Sequence, residues 1–327
     1  MNLLRRHTLA LPLAFTATVC GLLTAPRAAR AEERVEDLAW IDTARGRTVP
    51  LRVRWPVDPL TPSPRGQPLV LFSHGLGGTR AGGAVWGQAW AAAGFTVIHL
   101  QHPGSDFDAL RSPGGLRRAA SGQQLLVRLQ DVRFVLDEIA LRRRSNEPPW
   151  SMVRPDAVGL AGHSFGAHTV LGMAGQAYPG MASVVDDRLA AFVALSPAVP
   201  AAGDARRAFA GITRPILCIT GTRDGDVIGN GTTPERRAAV YAALPDGHKA
   251  QLLLREADHL TFAGRAADAP ESLRRDVLTR NLEPAHHALV AAVTTDWWRA
   301  NLLQDTAARA RLVHPEGLDA GDVWIAG

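Results

Sequence analysis

The chain has 327 residues, of which 46% are hydrophobic and 20% are charged, a composition typical of a soluble globular protein with a sizeable core. Its formal net charge of +5 is no argument for a nucleic-acid partner, because Met1–Ala31 carries four arginines and no acidic residue. Without that segment the charge is about +1 (5 − 4 = 1). Of the two cysteines only Cys218 then remains, so an intramolecular disulfide is excluded.

The first 31 residues have the layout of a secretory signal. Arg5 and Arg6 precede an apolar run over Thr8–Ala25, and Ala29–Ala31 offers a small-residue cleavage site. The segment therefore predicts a periplasmic or secreted bacterial protein with no stable membrane insertion once the signal is removed. Export by the Sec route and export by the twin-arginine route both stay open. Residues 32–327 are predicted to form a single domain.

Two strands of a hairpin are predicted first, at Val35–Ile41 and Val49–Trp55. In the second strand Arg52 and Arg54 alternate with apolar residues, which is the pattern of a half-exposed strand at a sheet edge. A continuous apolar strand follows at Pro68–Gly75, and the glycines after it predict a tight loop.

Helices and buried strands then alternate along the chain. Helices are predicted at Ala84–Ala93, Ser121–Leu141 and Leu282–Leu303, and strands at Phe95–Leu100, Ala157–Ala161, Leu189–Leu195, Pro215–Thr220 and Gln251–Leu254, the last strand. Within Ser121–Leu141 apolar residues recur at helical spacing, and Arg128 and Asp131 are assigned to the opposite, solvent-facing side. The alternation predicts an α/β fold with a mostly parallel central sheet and helices on both faces.

One short motif combines glycines with a serine. Gly162-His163-Ser164-Phe165-Gly166 lies between the strand Ala157–Ala161 and an apolar stretch, Thr169–Ala174, that predicts a buried helix. A G-x-S-x-G motif at a strand-to-helix turn holds the serine hydroxyl clear of the backbone. The positive N-terminal end of the helix faces that serine, where negative charge develops during acyl transfer. The motif therefore predicts Ser164 as a nucleophile.

A serine nucleophile needs a base within hydrogen-bond reach and a third group that orients the base. In this architecture the chain order is serine, acid, histidine, each on a loop after a strand. Asp224 follows the strand that ends at Thr220 and is the preferred acid, with Asp226 as the alternative. Among eleven histidines only His259 lies beyond the acid on a short loop after a strand. The predicted catalytic residues are Ser164, Asp224 and His259.

Backbone amides are expected to stabilise the oxyanion of such a reaction. The residue after the nucleophile supplies one N–H, and the loop after an earlier strand supplies the other. The predicted donors are therefore Phe165 and Leu76. The glycine loop at Gly75 contains no nucleotide-binding motif, so nucleotide binding is disfavoured. An acyl-enzyme mechanism of this kind needs no metal and no organic cofactor.

Taken together, these motifs resemble those of the α/β-hydrolase superfamily, and within it the bacterial relatives of platelet-activating-factor acetylhydrolase, often called predicted dienelactone hydrolases. The similar segments are Phe72–Gly77, His102–Asp106, Gly162–Ala167, Gly221–Asp224 and Asp258–Phe262. The resemblance covers essentially all of residues 32–327 and implies a single α/β-hydrolase catalytic domain. It implies a carboxylic-ester hydrolase that needs no calcium and accepts short-chain or lipid-like esters. True dienelactone hydrolases use a cysteine nucleophile, whereas Ser164 stands at that position here.

Three alternatives stay open at this point. Polyester and cutin hydrolases share the architecture, although many carry a disulfide that this chain cannot form. A serine peptidase on the same fold is the second alternative, and a non-catalytic hydrolase-like binding protein is the third. The expected partner is a small-molecule or lipid ester, whose identity the sequence does not predict, nor does it predict the oligomeric state.

Overall fold

The computed structural model describes residues 33–56, 66–265 and 276–327. The predicted signal, Met1–Ala31, lies outside the described residues. The strands, in chain order, are β1 (Val35–Asp42), β2 (Arg47–Arg54), β3 (Gln67–Ser73), β4 (Thr96–Leu100), β5 (Val153–His163), β6 (Leu189–Leu195), β7 (Ile216–Arg223), β8 (Lys249–Asp258) and β9 (Val323–Ala326). The helices are α1 (Ala84–Ala92), α2 (Phe107–Leu110), α3 (Gly115–Ala119), α4 (Gly122–Arg144), α5 (Phe165–Ala174), α6 (Ala205–Phe209), α7 (Pro234–Ala243), α8 (Val277–Leu302) and α9 (Thr306–Arg311).

All of these strands belong to one sheet, in the order β1-β2-β4-β3-β5-β6-β7-β8-β9. The six strands from β4 through β3 to β8 run parallel, whereas β1, β2 and β9 pair antiparallel with their neighbours. This arrangement confirms the predicted α/β fold with a mostly parallel central sheet.

Helices cover both faces of the sheet. Successive residues of a strand point to opposite faces, so each strand contributes side chains to both helical layers. Leu69 and Leu71 of β3 pack in one apolar cluster with residues of α4 and α5. Val70 and Phe72 of the same strand pack in a second cluster with residues of α1 and α8. The core is therefore split into two layers by the sheet. None of the helices among the described residues is both long and apolar enough to cross a bilayer.

Two predictions about sheet edges were wrong. The strand β2 is not an edge, because β1 pairs with its outer side. Both arginines of β2 form ion pairs: Arg52 with Asp37 of β1, and Arg54 with Glu33, which lies just before β1. The last strand is β9, not β8. Its four residues are apolar but mostly exposed, and so short a run gives little sign of a strand in the sequence.

The prediction that Arg128 and Asp131 lie on the solvent face of α4 was also wrong. Both side chains are fully buried, with relative exposures of 0%. Arg128 lies three residues after Leu125 and four before Val132, which are both buried, so helical geometry places it on the packed face. The misassignment came from sorting residues by charge rather than by position.

The parallel strands bring their carboxyl ends to one edge of the sheet. The loops that leave β3, β5, β6, β7 and β8 all begin at this edge, because these strands pair in parallel register with their neighbours. In open α/β sheets, ligands bind outside the carboxyl ends of the strands. Each predicted site residue follows one of these strands.

Candidate active site

Ser164 occupies a sharp turn between β5 and α5. Its backbone has φ 55° and ψ −113°, a strained conformation for a residue with a Cβ. The flanking glycines allow the turn to close. A Cβ on Gly166 would overlap the carbonyl oxygen of Ser73, and a Cβ on Gly162 would overlap that of Gly166. The turn therefore requires glycine on both sides of Ser164.

His259 lies directly after β8 and reaches Ser164. Its Nε2 is 2.9 Å from Ser164 Oγ, and only 4% of its surface is exposed. His163 supports it, since His163 Nε2 donates to the His259 carbonyl over 3.0 Å. Burial and the neighbouring His259 hold the pKa of His163 well below its ordinary value. His163 is therefore neutral and acts as a hydrogen-bond donor to the loop that carries His259.

Asp224 is the group that orients His259. Its Oδ1 accepts a hydrogen bond from His259 Nδ1 at 2.7 Å, while its Oδ2 accepts from Ser196 Oγ at 2.6 Å and from Thr220 Oγ1 at 2.8 Å. Arg237 Nε lies 2.9 Å from Oδ1 and also donates to the Asp224 carbonyl. Burial raises the pKa of Asp224, but the His259 hydrogen bond and the Arg237 charge outweigh it and the pKa is lowered. The carboxylate is therefore ionised, and both of its oxygens accept hydrogen bonds.

The alternative acid, Asp226, has a different role. Its side chain accepts hydrogen bonds from the backbone amides of Ile228, Gly229 and Gly231 in its own loop. These amides, that of Gly231 first, lower the pKa of Asp226 to about 2. The structure thus places Asp224 against His259 and uses Asp226 to fix the loop that follows.

The two predicted oxyanion donors lie on either side of Ser164. Phe165 is the first residue of α5, and Leu76 follows Gly75 in the loop after β3. A Cβ on Gly75 would lie 3.4 Å from the Cβ of Ser164, so this loop passes directly over the serine. Within the described residues, neither the Leu76 nor the Phe165 amide has an acceptor. Both N–H groups are free to bind a substrate oxygen.

A cleft of about 940 Å³, lined by apolar residues and by Asp204, Arg207 and Arg236, begins one helical turn beyond Ser164. His168, whose amide donates to the Ser164 carbonyl over 3.2 Å, lines it, together with Tyr178, Ala198, Val199 and Pro200. The cleft lies between α5 and the loops that follow β6 and β7. Its walls can accommodate an aliphatic group.

Sequence reasoning missed the supports of the site. Ser196, Thr220 and Arg237 hold Asp224, and no motif identifies them; the only signal is that Ser196 and Thr220 lie at the carboxyl ends of β6 and β7. Arg128 could have been found from its helical position among apolar residues. In the described part of the chain, no cluster of three or more His, Cys, Asp or Glu side chains could hold a metal ion.

No family model matches the chain, and no curated protein is found to be similar to it.

Proposed function

We propose that the protein is an exported serine hydrolase that cleaves carboxylic esters. The observation that carries the proposal is the continuous hydrogen-bonded line from Ser164 Oγ through His259 to Asp224, with distances of 2.9 and 2.7 Å. A nucleophile, a base and an orienting acid in this contact are the requirements for covalent acyl transfer. Export rests on the sequence features of Met1–Ala31.

The reaction proceeds in two halves. His259 takes the proton of Ser164 as the hydroxyl attacks the ester carbonyl, and Asp224 stabilises the imidazolium that forms. The amides of Leu76 and Phe165 bind the tetrahedral oxyanion. His259 then returns the proton to the leaving alcohol, and the acyl group stays on Ser164. Water, activated by His259, releases the acid in the second half.

The α/β-hydrolase fold is the proposed architecture. It is supported by the turn at Ser164, by the loop after β3 that passes over the serine, and by the chain order Ser164, Asp224, His259. These features together are more specific than the motif alone, because each sits after a different strand of the same sheet.

The proposed substrates are short-chain or lipid-like esters. The lining of the cleft beside α5 includes Ala198, Val199 and Pro200, which suit an aliphatic acyl group. A polyester or cutin hydrolase and a serine peptidase use the same chemistry and differ only in the substrate bound. A panel of soluble esters, polyester film and peptide anilides separates them.

The test uses protein purified after expression of the full-length chain. We expect it to hydrolyse p-nitrophenyl acetate, butyrate and octanoate, and to react with a fluorophosphonate probe. Ser164→Ala should abolish both while the thermal unfolding midpoint is retained. Ser145→Ala, an exposed serine after α4, is the matched control and should be fully active. Absence of turnover and labelling in the wild type, or labelling that persists in Ser164→Ala, would refute the proposal and favour a non-catalytic binding protein.

A further inference from the structure

A buried arginine lies beneath the loop that passes over Ser164. Arg128 projects from α4 and is fully buried. Its Nη1 donates to the His74 carbonyl at 2.6 Å and its Nε to Ser105 Oγ at 2.8 Å, while Nη2 reaches the Gly75 carbonyl at 3.4 Å. Longer contacts join it to Ser73 Oγ and the Ser105 carbonyl. The guanidinium therefore binds the turn that precedes Leu76.

No carboxylate within the described residues forms an ion pair with Arg128. The nearest linked one, Asp131, is reached through two neutral groups: Ser73 Oγ donates to His102 Nε2 at 3.0 Å, and His102 Nδ1 donates to Asp131 at 3.0 Å. Asp131 itself is held by Arg47. Burying a charge among neutral oxygens costs free energy, so stability alone does not account for an arginine here.

The contacts of Arg128 fix the orientation of one oxyanion donor. The Gly75–Leu76 peptide is trans, so its C=O and N–H point in opposite directions. The Gly75 oxygen accepts from His74 Nδ1 at 2.6 Å, from the Gly78 amide at 3.0 Å and from Arg128. With the oxygen held on that side, the Leu76 N–H points away from Arg128 and His74.

Arg128 also contacts the residue that carries the second donor. Its guanidinium carbon lies 4.4 Å from the centre of the partly buried Phe165 ring, a cation–π contact. Phe165 is the first residue of α5, so this contact restrains the helix end at which its amide is presented. One side chain thus touches both segments of the predicted oxyanion hole.

We propose that Arg128 is a positioning residue that holds the Leu76 and Phe165 amides in the geometry needed to bind the oxyanion. The inference rests on the proposed function. It assigns to Arg128 a role in the transition state but not in ground-state binding, because the amides gain their full hydrogen bonds only when the carbonyl oxygen becomes charged.

The test compares Arg128→Met and Arg128→Lys with the wild type. Loss of one oxyanion donor typically costs about 10²–10³ in rate, so we expect kcat of Arg128→Met on p-nitrophenyl butyrate to fall about 10²-fold with KM within about threefold. The inhibition constant of an alkyl trifluoromethyl ketone, which forms an oxyanion on the serine, should rise by a similar factor. Arg128→Lys keeps the charge with one nitrogen, and we expect an intermediate loss.

A control for simple destabilisation lies on the same helix. Leu136 is buried two turns along α4 from Arg128 and has no place in the site. Leu136→Ala should lower the thermal midpoint through its cavity while kcat and the ketone inhibition constant stay within about twofold of the wild type.

The outcomes separate the two proposals. If the wild type is active and Arg128→Met has the same kcat and the same ketone inhibition constant as Leu136→Ala, the positioning role of Arg128 is refuted while the proposed function stands. If Arg128→Met yields no folded protein, Arg128→Lys decides: one ammonium cannot hold two carbonyls and a hydroxyl in the planar arrangement of a guanidinium, so wild-type kcat and ketone affinity would overturn the role. A wild type with neither turnover nor fluorophosphonate labelling would refute the proposed function and this inference with it.

Discussion

Asp224 and Asp226 stand two residues apart, yet their surroundings give them different chemistry. Asp224 is fully buried and bonded to His259, whereas Asp226 is exposed and bonded to loop amides. We predict that Asp224→Asn lowers kcat about 10⁴-fold, because an amide favours the wrong His259 tautomer and cannot stabilise its charged form. Asp226→Asn is the matched control and should change kcat less than about threefold. Steady-state ester hydrolysis measures kcat of both variants. The assignment of Asp224 as the triad acid fails if Asp226→Asn shows the larger loss of kcat.

Residue identities in the site were predictable where chemistry restricts both the residue type and its place after a strand. Ser164, Asp224 and His259 each meet those two conditions, and the structure brings them together. Arg128 lies in a helix and meets neither condition, and Ser196 meets only the second, because a serine after a strand is common. Their roles depend on contacts across 54 and 28 residues of chain, which no local pattern contains.

At the scale of elements, β3 and α5 approach so closely that their backbone atoms are in direct contact. A Cβ on Gly166 would overlap the Ser73 carbonyl and lie 2.9 Å from that of His74. We predict that Gly166→Ala destabilises the fold by about 1–3 kcal/mol and slows fluorophosphonate labelling, because β3 and α5 must separate. Gly172→Ala in the same helix meets side chains only, the end of Leu129 at 2.9 Å and the ring of Tyr178 at 3.4 Å. Urea unfolding should show a change within about 1 kcal/mol there, and equal losses in the two variants would contradict this account.

Elements were predictable in proportion to the apolar surface they bury. The buried strands β3 to β8 and the helices α1, α4 and α8 show as apolar runs or apolar stripes, and the structure confirms them. The short helices α2 and α3 carry no such signal, and the apolar run of β9 is only four residues long and mostly exposed. They are set by backbone pairing and capping, for example by Asp106, whose side chain accepts from the Ala109 amide.

At the scale of the whole molecule, the site exists only when the sheet is assembled. Ser164 and His259 are 95 residues apart in the chain, and His259 and Asp224 are 35 apart. Their contact depends on β5 to β8 pairing side by side, so loss of the fold removes the site at the same time. Conditions that destabilise the native state would therefore limit the proposed activity even where Ser164, Asp224 and His259 keep their protonation states.

Acid is one such condition, because at least four histidines among the described residues are buried in neutral form. His74, His99, His102 and His163 are each at most 6% exposed. Burial lowers the pKa of His99 to about 3 and of His102 to about 4, and holds the pKa of His74 and His163 well below the ordinary 6.5. The unfolded chain binds protons at these sites below pH 6.5, whereas the native state does not until about pH 4 or lower.

The free energy of unfolding should therefore fall as the pH falls from 6.5 toward 4, by up to about 1.4 kcal/mol per pH unit for each histidine. Asp131 does not contribute in this window. Burial raises its pKa, but hydrogen bonds from His102 and Arg47 lower it to about 2, so its protonation destabilises the fold only below the ordinary pKa of 3.8.

The urea midpoint of unfolding should be constant from pH 8 to 7 and drop steeply by pH 5. His99→Asn, which can still donate to the Gly82 carbonyl, removes one of these sites and should reduce the slope by at most about a quarter, because burial also lowers the pKa of His168 to about 4. Equal midpoints at pH 7.5 and 5 would show that these histidines take up protons in the native state as readily as in the unfolded chain. Domains are stabilised by only about 5–15 kcal/mol, so the summed loss over these sites is a substantial part of the stability of a typical domain.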